Sequence, residues 1–79
     1  MSKLPALSGK QFIAILKSAG YALVRVRGSH HRFHGPKGQI VIVPLHANRT
    51  IAKGTLHYAI TKMMGLTVQE FLEIQKGGN

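Results

Sequence analysis

The chain has 79 residues and carries eleven Lys and Arg against two acids, a formal charge of +9 at neutral pH. It contains no cysteine, which excludes disulfides, thiolate metal sites and thiol nucleophiles. No stretch approaches the roughly 18 apolar residues of a membrane span, and residues 1–7 lack the apolar core of a signal peptide. The expectation is one soluble, cytoplasmic domain over residues 1–79, with residues 1–7 and 76–79 loose, and with no membrane contact.

The charge is unevenly placed. Both acids, Glu70 and Glu73, lie near the C-terminus, and residues 1–69 contain none. A strong positive potential points to a polyanion such as RNA, or to an acidic protein partner. Nucleases that use Mg²⁺ generally hold it with carboxylates. A nuclease with this composition is therefore expected to work without metal or other cofactor, through histidine.

In chain order, Ser8-Gly9-Lys10-Gln11 matches a capping box. Phe12, Ile13, Ile15, Leu16 and Ala19 follow at helical spacing, and Gly20 supplies a left-handed stop. The first helix is expected over residues 9–19. Residues 21–27 then alternate. Ala22, Val24 and Val26 point one way and Tyr21, Leu23, Arg25 and Arg27 the other, as in a strand. Gly28-Ser29 reads as a tight turn, and residues 30–34 as a second, antiparallel strand. By strand parity His30, Arg32 and His34 share one face, while His31 shares the other with Phe33, the evident core residue. Leu23 conflicts with this pattern, because parity puts it beside Arg25 and Arg27; twist or a bulge would resolve the conflict.

Residues 35–38 form the next turn. Gln39–Val43 is apolar almost throughout, as a central strand would be, and Pro44 ends it. A loop with His46, Asn48 and Arg49 leads to a second helix over residues 52–64. Its Leu56, Ala59, Ile60, Met63 and Met64 form an apolar stripe stopped by Gly65, with the methionines as core filler. Thr67-Val68-Gln69-Glu70 is a second capping box, opening a short helix to about residue 74. The order is α-β-β-β-α with a short extra C-terminal helix. That is an α+β domain in which a three-stranded antiparallel sheet is covered by helices on one face. The open face would carry Arg25, Arg27, His30, Arg32 and His34.

Taken together, the Gly28-Ser29-His30-His31-Arg32-Phe33 corner, the strand ending Val43-Pro44, the loop with His46 and Asn48, and Lys53-Gly54-Thr55-Leu56 before a helix closing on Gly65-Leu66 resemble the HicA toxins of HicA–HicB toxin–antitoxin systems. The resemblance runs from about residue 8 to residue 66. It implies a fold like that of double-stranded-RNA-binding domains, endoribonuclease activity on messenger RNA, and silencing by a HicB-like antitoxin that covers the active face. It also implies a catalytic histidine directly after the Gly-Ser corner. That position is His30, with His31 one residue away; parity independently favours His30.

The residues suit this chemistry. RNA cleaves itself when a 2′-hydroxyl attacks the adjacent phosphorus, and a catalyst supplies a base, cations for the developing charge and an acid for the leaving oxygen. His30 can be the base, and Arg25, Arg27 and Arg32 can grip phosphate beside the Gly28-Ser29 turn. The acid could be His31, His34, water or the imidazolium of His30. Accessory roles are open for His31, His34 and His46, and Lys53 at a helix start is a candidate phosphate contact. Ser29 lacks the orienting acid that a nucleophile needs, and His57 reads as structural. One general base gives roughly 10²–10⁴-fold, so the enzyme would be slow. The alternative from another class is a non-catalytic RNA-binding module of the same fold, which would show salt-sensitive binding without cleavage.

Overall fold

The computed structural model describes residues 4–46 and 49–77. Helix α1 spans Gly9–Ser18, strands β1, β2 and β3 span Ala22–Arg27, His30–His34 and Ile40–Pro44, helix α2 spans Lys53–Tyr58, and helix α3 spans Val68–Gly77. A π-helical turn, Ala59–Met63, continues α2. The strands form an antiparallel sheet in the order β1-β2-β3.

Both capping boxes form. The Gln11 amide donates to Ser8 Oγ at 3.2 Å, and the Ser8 amide donates to Gln11 Oε1 at 2.9 Å. At α3 the Glu70 amide donates to Thr67 Oγ1 at 3.0 Å, and the Thr67 amide donates to Glu70 Oε1 at 2.8 Å. Each box satisfies two amides that a helix start otherwise leaves without partners.

The apolar stripes meet in one core. Phe12 and Leu16 of α1, Phe33 of β2, Val41 and Val43 of β3, Leu56 of α2, Ile60 of the π turn and Phe71 of α3 are all essentially inaccessible. The rings of Phe12 and Phe71 lie 5.9 Å apart and tilted by 49°, joining the first helix to the last. Each such side chain contributes on the order of 1.5–3 kcal/mol by leaving water.

Four features depart from the sequence expectations. First, β3 is an edge strand and β2 is central. The apolar run in β3 reflects two different environments: Val41 and Val43 are buried, whereas Ile40 and Ile42 are exposed on the other face. Second, β1 carries a bulge. Leu23 pairs with Phe33 and Arg25 with Arg32, leaving Val24 as the extra residue. Simple alternation therefore fails in β1: Leu23 joins the face of Phe33, while Arg25 and Arg27 join that of Arg32 and His30.

Third, the second helix is α-helical only to Tyr58 and then widens. The Met64 amide reaches the Ala59 carbonyl five residues back at 2.8 Å. The Thr61 hydroxyl donates to the His57 carbonyl at 2.8 Å, occupying an acceptor of the regular ladder. Fourth, the described residues nearest the two ends, 4–7 and 76–77, take part in the fold. Leu7 is buried and Leu4 packs against the core, and the Ile51 amide donates to the Leu7 carbonyl at 2.8 Å. Helix α3 continues past residue 74 to Gly77, so Lys76 and Gly77 are helical.

The helices pack over β2 and β3, and every residue of β1 is exposed. A groove consequently runs between α1 and β1, lined by Ile13, Ala14, Leu23, His31, Phe33 and Leu45, with Lys10 and Lys17 also along it. Among the described residues no helix is long and apolar enough to cross a membrane.

Candidate functional site

On the open sheet face, Arg25, Arg27, His30, Arg32 and Ile42 line one shallow cavity of about 210 Å³. The strand register builds it. Arg25 faces Arg32 and Arg27 faces His30 across β1 and β2, and Ile42 faces Arg32 across β2 and β3. The bulge at Val24 is what puts Arg25 and Arg27 on this face while Leu23 stays on the other. The two-residue connection that brings Arg27 opposite His30 needs a positive φ, and Gly28 supplies it at 60°.

Arg25 and Arg32 form a like-charged cross-strand pair, an arrangement that destabilises a sheet in the absence of a counter-anion. No Asp or Glu lies in any strand, since both acids sit on α3. These guanidinium groups therefore have no carboxylate within the sheet, and arginine is a residue type able to grip phosphate through two parallel N–H groups.

The two adjacent histidines diverge. His30 is exposed and lines the arginine cavity. His31 is half-buried and lines the groove beside α1. Its Nδ1 lies 3.2 Å from the Ser29 carbonyl; a carbonyl only accepts, so this nitrogen carries the proton. The same carbonyl accepts the Leu45 amide N–H at 2.7 Å, tying the β1–β2 corner to the exit of β3. His34 also lies on the open face, and its Nε2 accepts from Arg32 Nε at 3.3 Å.

The other candidates are set apart. His46 lines a separate cleft with Pro44, Arg49, Thr50 and Thr55. Pro44 pairs with His30, so this cleft adjoins the arginine cavity without merging with it. Lys53 is exposed at the first position of α2 and lines neither cavity. Asn48 lies outside the described residues. Ser29 is half-buried in the turn with no acid beside it in sequence. Among the described residues no three His, Asp or Glu side chains gather as a metal site would require.

One wall of the cavity, Ile42, was not legible in sequence, because an unbroken apolar strand conceals which residues face outward. Pairing the strand to β2 by the parity of Phe33 would have exposed it, since Val41 and not Ile42 lies opposite Phe33.

Fold and face together define a small basic α+β domain of α-β-β-β-α order, with a cationic histidine-bearing sheet. The family model of the HicA toxin of bacterial toxin–antitoxin systems matches residues 9–64, well over half of the chain. This chain belongs to the HicA toxin family, and membership implies an antitoxin partner. No curated protein gives a significant match.

Proposed function

We propose that this toxin is a metal-independent endoribonuclease that cleaves messenger RNA with His30 as general base. The observation that carries the reading is the convergence of His30 with Arg25, Arg27 and Arg32 in one cavity. In the proposed step, the neutral His30 ring removes the proton of a 2′-hydroxyl. The freed 2′-oxygen forms a bond to the adjacent phosphorus, and the bond from phosphorus to the 5′-oxygen breaks. The leaving oxygen takes a proton, from His30 now protonated, from His34 or from water. The products are a 2′,3′-cyclic phosphate and a 5′-hydroxyl. Arg25, Arg27 and Arg32 hold the phosphate oxygens and stabilise the added charge of the transition state. The turn, exposed at Gly28, admits the RNA backbone, and His46 and Lys53, outside the arginine cavity, are assigned contacts to phosphates further along the RNA.

His31 is assigned a positioning role, because its ring is engaged with the Ser29 carbonyl on the opposite side of the sheet. A HicB-like antitoxin would silence the protein in the cytoplasm by presenting acidic groups to the arginine cavity, competing directly with RNA.

The test is cleavage of end-labelled single-stranded RNA in EDTA by the parent protein and by His30→Ala. Cleavage by the parent alone supports the reading. Equal cleavage by both would remove His30 from the chemistry, and salt-sensitive binding by both without cleavage would make the protein a non-catalytic RNA-binding module.

A further inference from the structure

The open face is not uniformly cationic. Its third column, on β3, is aliphatic: Ile42 is 39% exposed and Ile40 is 42% exposed. The core does not need them, because Val41 and Val43 of the same strand supply the buried contacts. Ile40 and Ile42 therefore leave an exposed aliphatic strip directly beside the arginine cavity, whose wall Ile42 forms.

We propose that Ile42, with Ile40 beside it, seats an unstacked nucleobase of the bound RNA, so that the toxin selects single-stranded RNA. This rests on the reading of the arginine cavity as a phosphate site.

The register supports it. Arg25, Arg32 and Ile42 form one row across the three strands. With strands about 4.8 Å apart, the row spans about 10 Å, comparable to the reach of one nucleotide from phosphate to base. A phosphate on Arg25 and Arg32 therefore places its base over Ile42 and its ribose over the centre of the sheet, beside His30. A base inside a duplex has both faces stacked and its pairing edge engaged. It cannot turn a face to Ile42 while its phosphate sits on the arginines, and only a splayed nucleotide satisfies both. Sheet faces that bind single-stranded RNA seat unstacked bases on aromatic side chains; here the aliphatic surface of Ile42 takes that place by apolar contact alone. An aliphatic side chain offers no donor or acceptor to the base edge, so the seat accepts any base.

A protein strand adding to this edge is the competing occupant. The Ile42 amide N–H, which such a strand would need, already donates to Met63 Sδ at 3.4 Å. The edge of β3 is closed at that residue, which favours a base lying on the face.

The experiment measures binding of fluorescent oligoribonucleotides to the full chain in the His30→Ala background, so that cleavage does not intervene. The probes are a single-stranded RNA, the same RNA with abasic sites, and a blunt RNA duplex. The single strand should bind more tightly than the abasic strand and the duplex. Ile42→Ala should weaken single-strand binding roughly three- to tenfold, as expected for lost apolar contact. The same substitution should leave abasic binding unchanged, and Ile42→Val should recover most of the loss. Equal losses on normal and abasic RNA, no loss on either, or duplex binding as tight as single-strand binding would overturn the proposal. Loss of antitoxin binding alone would reassign the isoleucines to the protein partner. If the Ile42-intact chain binds no RNA in a salt-dependent manner, the phosphate reading of the arginines fails and this inference falls with it. RNA binding that ignores Ile42 sinks this inference alone.

Discussion

Leu45 donates its amide N–H to the Ser29 carbonyl at 2.7 Å, and so the chain leaving β3 is pinned to the corner that presents His30. The His31 ring donates to the same carbonyl from the helix side. The corner is therefore held from two directions although the turn itself is exposed at Gly28. His31→Ala removes one of these bonds and should cost about 1 kcal/mol. Thermal melting should show that loss, while single-turnover RNA cleavage per folded molecule stays near the parent rate. A collapse of cleavage at unchanged stability would move His31 into the chemistry.

The Met63 sulfur covers the Ile42 amide, the outward group of an edge strand. Unprotected edges invite pairing with other chains. Met63→Ala should destabilise the fold by about 1–2 kcal/mol, less than for a fully buried methionine because Met63 is half-buried. Met63→Leu should recover most of the melting temperature by restoring volume, yet leave the Ile42 amide without its acceptor. Amide hydrogen exchange separates the two effects: Ile42 should exchange faster in both variants, and unchanged exchange in Met63→Leu would contradict the capping role.

Val24 is the extra residue of the β1 bulge. Deleting it leaves Leu23 opposite Phe33 and Arg25 opposite Arg32 in an unbroken alternation. The deletion variant should fold and keep its salt-sensitive affinity for RNA. Deleting Val26 instead would disturb the pairing of Arg25 or Arg27 and should weaken binding. Circular dichroism with RNA titrations checks both variants. Loss of folding on deleting Val24 would show that the bulge itself is required.

Two glycines should respond in opposite directions to alanine. A Cβ at Gly35 would meet the Tyr21 ring at 2.6 and 2.8 Å, as well as the Gln39 side-chain oxygen, whereas one at Gly54 meets nothing within 4 Å. Gly35→Ala should cost about 1–3 kcal/mol through overpacking. Gly54→Ala, inside α2, should gain about 0.5–1 kcal/mol from helix propensity. Denaturant melts of the two variants give both signs.

The helices and the face of β2 were legible because their signals are local. Two capping boxes and two apolar stripes set the helices, and Phe33 fixes which way His30, Arg32 and His34 point. What was not legible depended on pairing. Parity along β1 breaks at Val24, and no residue there announces a bulge. The exposure of Ile40 and Ile42 follows from β3 lying at the edge with its other face buried, which a uniformly apolar run cannot reveal. The wide turn after Tyr58 likewise hides inside a good helical stripe, because Met63 and Met64 look alike until one is buried and the other reaches the strand edge. The basic composition and the lack of carboxylates in residues 1–69 set an expectation about chemistry that the fold alone leaves open, and the bulge decided which side chains stand together.

In the proposed mechanism a histidine among arginines cleaves RNA without metal. The most direct measurement is the end chemistry of RNA fragments produced in EDTA by the parent, by His30→Ala and by His31→Ala. The parent and His31→Ala should leave 2′,3′-cyclic phosphate ends, and His30→Ala should give no fragments. Cyclic phosphate ends produced equally well by His30→Ala, or 3′-hydroxyl ends from the parent, would contradict that mechanism.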